Sequence, residues 1–241
     1  MRILVYKWIL KQVMEFLCDE KRKEDTLAVK VEVWGDYACF SRPEMKTERV
    51  SYDVITPSAA RGLLEAIYWH PGMKYMIDNI YVLSPINMTN IKRNEVKSKI
   101  LASNVKSVMT GGKNELFINT SNDIQQRSSL VLQDVHYVIE AHFDMTDKAN
   151  ESDNAGKFQD IIKRRLKRGQ CFHQPYFGCR EFPARFREWD GEVISCIEET
   201  RDLGYMLWDM DYSDSGNICP MFFRAKLENG VMHVGDCEVL K

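Results

Sequence analysis

The hydrophobic pattern changes period several times along the chain, and each change marks an element. Ala28-Val29-Lys30-Val31-Glu32-Val33 alternates with period two and predicts a first strand. Ala60, Leu63, Leu64 and Ile67 then recur at helical spacing, behind Thr56 as N-cap and Pro57 at the first helical position; His70-Pro71-Gly72 stops that helix. Ile77 to Leu83 reads as a second strand, ended by Ser84-Pro85. Residues 86–129 are polar and irregular, with Gly111-Gly112 as a turn between short strands. Leu130 to Leu132 and Val135 to Phe143 form a long extended segment. A second helix follows from about Asn154 to Lys167, with Phe158, Ile161, Ile162 and Leu166 on its apolar face, and Phe177 to Phe186 is the fourth strand.

Beyond Arg187 the pattern is strands only. Gly204 to Tyr212 is one, and Pro220 to Glu228 and Val231 to Val234 flank Asn229-Gly230, a strong hairpin signal. Ahead of the first strand, Ile3, Tyr6, Leu10, Val13 and Leu17 predict an amphipathic helix, and the charged run Asp19 to Asp25 predicts a linker. The expected class is therefore α+β. A ferredoxin-like (RRM-type) βαββαβ domain spans 28–187, an N-terminal helical extension and linker covers 1–27, and 188–241 forms a C-terminal antiparallel β subdomain.

Composition narrows the class of function. The chain has 241 residues, enough to bury a sizeable core. No apolar run approaches the roughly 20 residues of a membrane span. Seven cysteines without a C-x-x-C pair read as reduced thiols in a cytoplasmic protein, with no metal site and no cofactor. The formal charge of −2 hides an asymmetry: Lys157 to Arg187 carries +7 and Glu188 to Lys241 carries −8. A basic stripe in a near-neutral chain either holds a polyanion or is a solvated helix face.

Arg168-Gly169-Gln170-Cys171-Phe172-His173-Gln174-Pro175-Tyr176-Phe177-Gly178-Cys179-Arg180-Glu181 follows the basic helix directly. Its glycines allow close approach to a phosphate. Arg168, Gln170, His173 and Arg180 supply donors, and Phe172 and Tyr176 supply stacking faces for unpaired bases. The same residues could instead fill a small core of their own. The carboxylates show no clustering of the kind that holds Mg²⁺ in nucleases. If the protein cuts RNA, the nucleophile is then the substrate's own 2′-OH. That reaction needs one group to take a proton, one to give one, and a cation for the phosphorane.

The ordered run Gly35-Asp36-Tyr37-Ala38, Phe40, Pro43, Glu48-Arg49-Val50-Ser51-Tyr52, Thr56-Pro57-Ser58-Ala59-Ala60 and Ala66-Ile67-Tyr68-Trp69 continues through Pro85-Ile86, Gln126-Arg127, Asp134-Val135 and Gly169 to Glu181. It resembles the d subtype of Cas family five, the RNA-processing subunit of type I-C Cascade. The resemblance implies an endoribonuclease that cuts the CRISPR repeat RNA hairpin without metal and then stays on the 5′ handle of the crRNA beside other Cascade subunits. It implies a Tyr–Lys–His catalytic set: the tyrosine falls on Tyr68 and the lysine on Lys157, but the histidine position holds Phe158. Phe158 shares the apolar face of its helix and cannot transfer protons.

His173, in the glycine-rich loop, and His70, two residues past Tyr68, are the local substitutes, with His173 preferred; His136, His142 and His233 lie in strand-like segments and read as structural. The RNA-binding expectation covers Arg42, Lys46, Arg49, Lys163, Arg164, Lys167, Arg168, Gly169, Gln170 and Arg180. Duplex DNA is the other polyanion the basic face could take. Two readings stand beside the enzyme: a guide-RNA-binding scaffold that does not cut, and a generic RRM-like RNA binder.

Overall fold

The alternation that opens at Ala28 runs on to Ala38, giving β1 (Val29–Ala38). This computed structural model describes residues 28–241 apart from 46, 114, 192–193, 215 and 236, so the extension expected over 1–27 and Lys46 lie outside the described residues. The remaining elements are β2 (Arg49–Val50), α1 (Pro57–Ile67), β3 (Met73–Val82), β4 (Asn87–Val96), α2 (Ala102–Met109), β5 (Ile124–Met145), α3 (Ala155–Arg168), β6 (Arg185–Glu188), β7 (Arg201–Asp211), β8 (Cys219–Leu227), β9 (Val231–His233) and β10 (Val239–Leu240).

Both principal helices start on the caps the sequence offers. The Thr56 hydroxyl accepts the Ala59 N–H at 3.2 Å, and the Asn154 side chain accepts the Lys157 N–H at 2.9 Å. Gly169 closes α3 in the left-handed region at φ 61°.

Seven strands form the main sheet, ordered β6-β1-β5-β3-β9, with β4 and β2 also paired to β5. The 22-residue β5 organises it. Its second half lies between β1 and β3, and its first half runs out with β4 as a two-stranded arm. Asp134, at φ 53°, marks the joint between the halves. One face of this sheet, including Val31, Val33, Tyr137, Ile139 and Phe143, joins Leu63, Leu64 and Ile67 of α1 and Phe158, Ile162 and Leu166 of α3 in a single buried core. A three-stranded sheet, β10-β8-β7, follows.

The opposite face is polar but paired. Glu32 is only 3% exposed and takes His136 Nε2 at 2.7 Å and the Arg187 guanidinium. His142 Nδ1 lies 2.8 Å from Asp78, and His233 Nδ1 lies 2.7 Å from Asn79. Three histidines read as structural are thus held by strand neighbours. The six described cysteines are free thiols.

Three expectations are corrected. Residues 86–129 hold a ten-residue strand, a helix and the start of β5 rather than short irregular strands. Both faces of that arm are largely solvated, so no apolar alternation betrays it. The fourth strand is Arg185–Glu188 rather than Phe177–Phe186. Ahead of it the chain folds on itself: Phe177 N–H donates to Phe182 O and Phe182 N–H to Cys179 O, each at 2.9 Å. The alternating burial of Phe177, Cys179, Phe182 and Ala184 imitates a strand without being one.

Asn229 and Gly230 make the expected left-handed turn at φ 49° and 77°. However, β9 then leaves β8 for the main sheet and pairs with β3. Gly230 is pinned there, its N–H donating to Glu199 O and its carbonyl accepting from Val82 N–H.

Two outcomes follow from this packing. Phe158→Ala should cost about 3–5 kcal/mol in urea unfolding with an unchanged slope. Burial pushes the Glu32 carboxyl up, but hydrogen bonds from Arg187 and His136 outweigh that and hold it below its ordinary value. Its stabilising contribution is therefore full above the unfolded value of about 4.3 and is lost as pH falls through the lowered folded value. Glu32→Gln should flatten the loss of stability on acidification; an unchanged pH profile would contradict the assignment.

Candidate active site at the C-terminal end of the first helix

Tyr68 is the C-cap of α1, its N–H closing on Leu64 O at 3.0 Å. The helix period that buries Leu64 and Ile67 also turns Tyr68 inward, so it is 7% exposed. Phe158 of α3 packs 6.2 Å from its ring, and the Arg165 guanidinium sits 5.0 Å over it. Arg165 also donates from Nη1 to Ile67 O, tying α3 to the last turn of α1.

Burial pushes the Tyr68 phenol up. Arg165 and Lys157 pull it down, Asp153 adds to the rise, and the net shift is upward. Tyr68 is thus protonated at neutral pH. It is placed to give a proton, not to take one.

Lys157, one turn into α3, stands 2.8 Å from Asp153 with its side chain 45% exposed. Hydrogen bonds from Lys157 and from the Asn150 N–H hold the Asp153 carboxyl below its ordinary range. His70 Nε2 approaches the same carboxylate at 3.9 Å, and its ring lies 4.9 Å from Phe158. His70 Nδ1 accepts the Gly72 N–H at 3.1 Å, which places the proton of the neutral ring on Nε2. In this arrangement the Nδ1 lone pair is engaged by the backbone.

His173 differs. The N–H groups of Phe172 and His173 both donate to Ala66 O at 3.0 Å, which fastens the glycine-rich loop two residues before Tyr68. The His173 side chain is exposed, touches only the Phe172 ring at 4.3 Å, and has no hydrogen-bond partner among the described residues. Phe172 itself is 72% exposed. A cleft of about 390 Å³ runs between α1 and this loop, lined by Thr56, Ala59, Ala66, Tyr176 and Gly178 among others.

The expected RNA-binding residues divide in two. Lys163, Arg164, Lys167 and Arg168 are exposed along α3, and among the described residues only Lys167 of the four pairs with an acid, Glu188 at 3.8 Å. Gln170 and Arg180 are exposed on the loop. Gly169 serves as the α3 cap. Gly178, at φ 76°, has Cys39 O 2.0 Å from where a Cβ would stand, so this glycine answers to the fold.

Arg42 is engaged with Asp53 at 3.3 Å and lies 4.6 Å over the Tyr52 ring, and Arg49 lies among Cys179, Glu95 and Glu181. Arg165 was missed as a site residue. Its spacing of seven from Phe158 and three from Ile162 sets it at the border of the apolar stripe, the one signal available. Among the described residues, no group of three or more His, Cys, Asp or Glu side chains is disposed to hold a metal ion.

A protonated tyrosine under a guanidinium, beside a lysine and an aromatic loop, sits in a CRISPR-associated protein: residues 28–235 match the family model described as "CRISPR-associated protein (Cas_Cas5)". More narrowly, the chain belongs to the Cas5d family. It is 51% identical over 213 residues to the "CRISPR pre-crRNA endoribonuclease Cas5d" of Mannheimia succiniciproducens, covering 86% of this chain and 94% of that one. It is 42% identical over 223 residues to the protein of the same name from Thermus thermophilus, covering 86% and 90%. A solved structure described as "Crystal Structure of CRISPR-associated Protein" has the same fold, with a TM-score of 0.63 at 21% identity over 89% of this chain and 96% of the other.

Removing Arg165 leaves the burial of Tyr68 less opposed. In Arg165→Gln the Tyr68 phenol should ionise at still higher pH than in the wild type, read as the difference ultraviolet titration against matched Tyr68→Phe proteins. A fall would contradict the geometry.

Proposed function

We propose that this chain is a pre-crRNA endoribonuclease. It binds the repeat hairpin, cuts it through the RNA's own 2′-OH without metal, and stays on the 5′ handle as a subunit of type I-C Cascade in the cytoplasm. Support comes from its Cas5d membership and the name its relatives carry. The observation that carries the chemistry is the convergence of Tyr68, Arg165 and the His173 loop on one helix end. The main sheet reads as ferredoxin-like, since β1-α1-β3-β5-α3-β6 follows the βαββαβ order and the strands lie β6-β1-β5-β3. Residues 28–187, with β9 added at the β3 edge of the sheet, then form the RNA-handling domain, and the rest of 188–241 an accessory β unit.

In this reading His173 takes the 2′ proton, since its ring nitrogens have no hydrogen-bond partner among the described residues. The 2′ oxygen attacks phosphorus, and Tyr68 protonates the departing 5′ oxygen. Arg165 and Lys157 stabilise the charge that gathers on the phosphorane. The exposed cations of α3 hold flanking phosphates, and Phe172 and Tyr176 stack on unpaired bases. Duplex DNA would meet the same α3 cations and lose the base contacts, so it should compete weakly.

The second reading is a scaffold that binds guide RNA and does not cut. Two observations favour it: Phe158, where the resemblance places a histidine in some members, is 0% exposed, and Lys157 is already paired with Asp153.

An end-labelled repeat hairpin in EDTA, beside the same RNA with one 2′-deoxy at the cut, separates the readings. Cleavage of the first RNA alone is expected, with Tyr68→Phe slower by about 10²–10⁴-fold. Salt-sensitive binding without product would establish the scaffold instead.

A further inference from the structure

Away from Tyr68, three arginines from three segments meet at the root of the β4–β5 arm. Arg93 and Arg127 stand directly opposite each other across the antiparallel pair, and Arg49 enters from β2 alongside. Like charges directly opposite in a ladder are destabilising unless something answers them. Two carboxylates partly do. Glu181, on the glycine-rich loop, pairs with Arg93 and lies 3.6 Å from Arg49. Glu95 lies 3.4 Å from Arg93, 3.5 Å from Arg127 and 3.8 Å from Arg49.

Those Glu95 distances exceed the roughly 2.7–2.9 Å of a direct charge-assisted hydrogen bond, so one carboxylate is stretched among three guanidiniums. The Nε atoms of Arg93 and Arg127 are buried with no hydrogen-bond partner among the described residues. Among the described residues three guanidiniums face two carboxylates. The Cys39 thiol, its pKa lowered to about 6 by its hydrogen bond with Cys179 and then by Ser41, Arg49 and Arg93, adds negative charge beside them. The two buried Nε donors stay unmet.

A group of this kind satisfies itself better with an anion that offers several oxygens. We infer that Arg49, Arg93 and Arg127 form a cradle for a backbone phosphate of the bound RNA, and that Glu181 is the placeholder the phosphate displaces. The guanidinium fork fits phosphate, and Glu181, with its side chain 46% exposed, is the carboxylate free to leave. Glu95 stays and keeps the three arginines from splaying. The glycine-rich loop that bears His173 also bears Glu181, so releasing Glu181 couples strand entry at the arm to the loop beside Tyr68. This inference rests on the RNA-binding reading above and names phosphate-holding residues for it.

The test is hairpin binding by the full chain over a range of salt, with a thermal melt for every variant. Arg93→Gln and Arg127→Gln should each weaken binding and reduce the slope of log K against log salt by about 0.7–0.9. Glu181→Gln, at a side chain 46% exposed, should tighten binding severalfold with the melting temperature unchanged. A purely structural ion-pair network predicts otherwise: Glu181→Gln and Arg93→Gln would both lower the melting temperature and leave the slope unchanged, and that result overturns the cradle. Failure of the wild-type protein to bind any hairpin would overturn the RNA reading and the cradle with it. Wild-type binding with an unmoved slope in both arginine variants would overturn the cradle alone.

Discussion

Phe158 is the contact on which the rest of the site depends. Its ring is wholly buried, with Tyr68 at 6.2 Å, His70 at 4.9 Å and Phe143 of the sheet at 6.3 Å around it. One side chain therefore fixes the end of α1, the start of α3 and the sheet beneath them. The Arg165 bond to Ile67 O locks the same two helices a step further along. Tyr68 owes both its burial and its cation to this arrangement. A phenol of raised pKa under a guanidinium is a consequence of helix packing, not an addition to it.

The same packing sorts the histidines. Whatever sits at position 158 lies inside the core, where a titrating ring would bear a desolvation cost. A base is more useful where solvent and substrate reach it, and the loop after α3 supplies that position. Its backbone is clamped to Ala66 O while its side chains remain outside. In the proposed reaction the group that gives a proton, Tyr68, is buried and the group that takes one, His173, is exposed.

Much of this was legible in the sequence because it follows local rules. The Thr56-Pro57 start of α1, the Asn154 start of α3 and the turn at Asn229-Gly230 are set by side chains acting on their own backbone. The position of Tyr68 followed from the helix period. What the sequence hid is non-local. The Asn87–Val96 strand lacks an apolar face, so only its pairing with β5 reveals it. The alternating burial of Phe177 to Ala184 comes from a chain folded on itself, and β9 joins β3 through contacts distant in sequence. Arg165 could be counted in the basic stripe but not singled out, because its role depends on where α1 ends. Likewise Arg49 reads as a free cation until Glu95 and Glu181 come beside it.

In the proposed reaction this helix end moves protons for attack by the RNA's own hydroxyl. The most direct measurement is the chemical end left on the 5′ fragment of a cut repeat, determined by mass. Attack by the 2′-OH leaves a 2′,3′-cyclic phosphate on that fragment and a 5′-hydroxyl on the other, and this is the expected result. A 3′-hydroxyl facing a 5′-phosphate would mean that water attacked instead, and would contradict it.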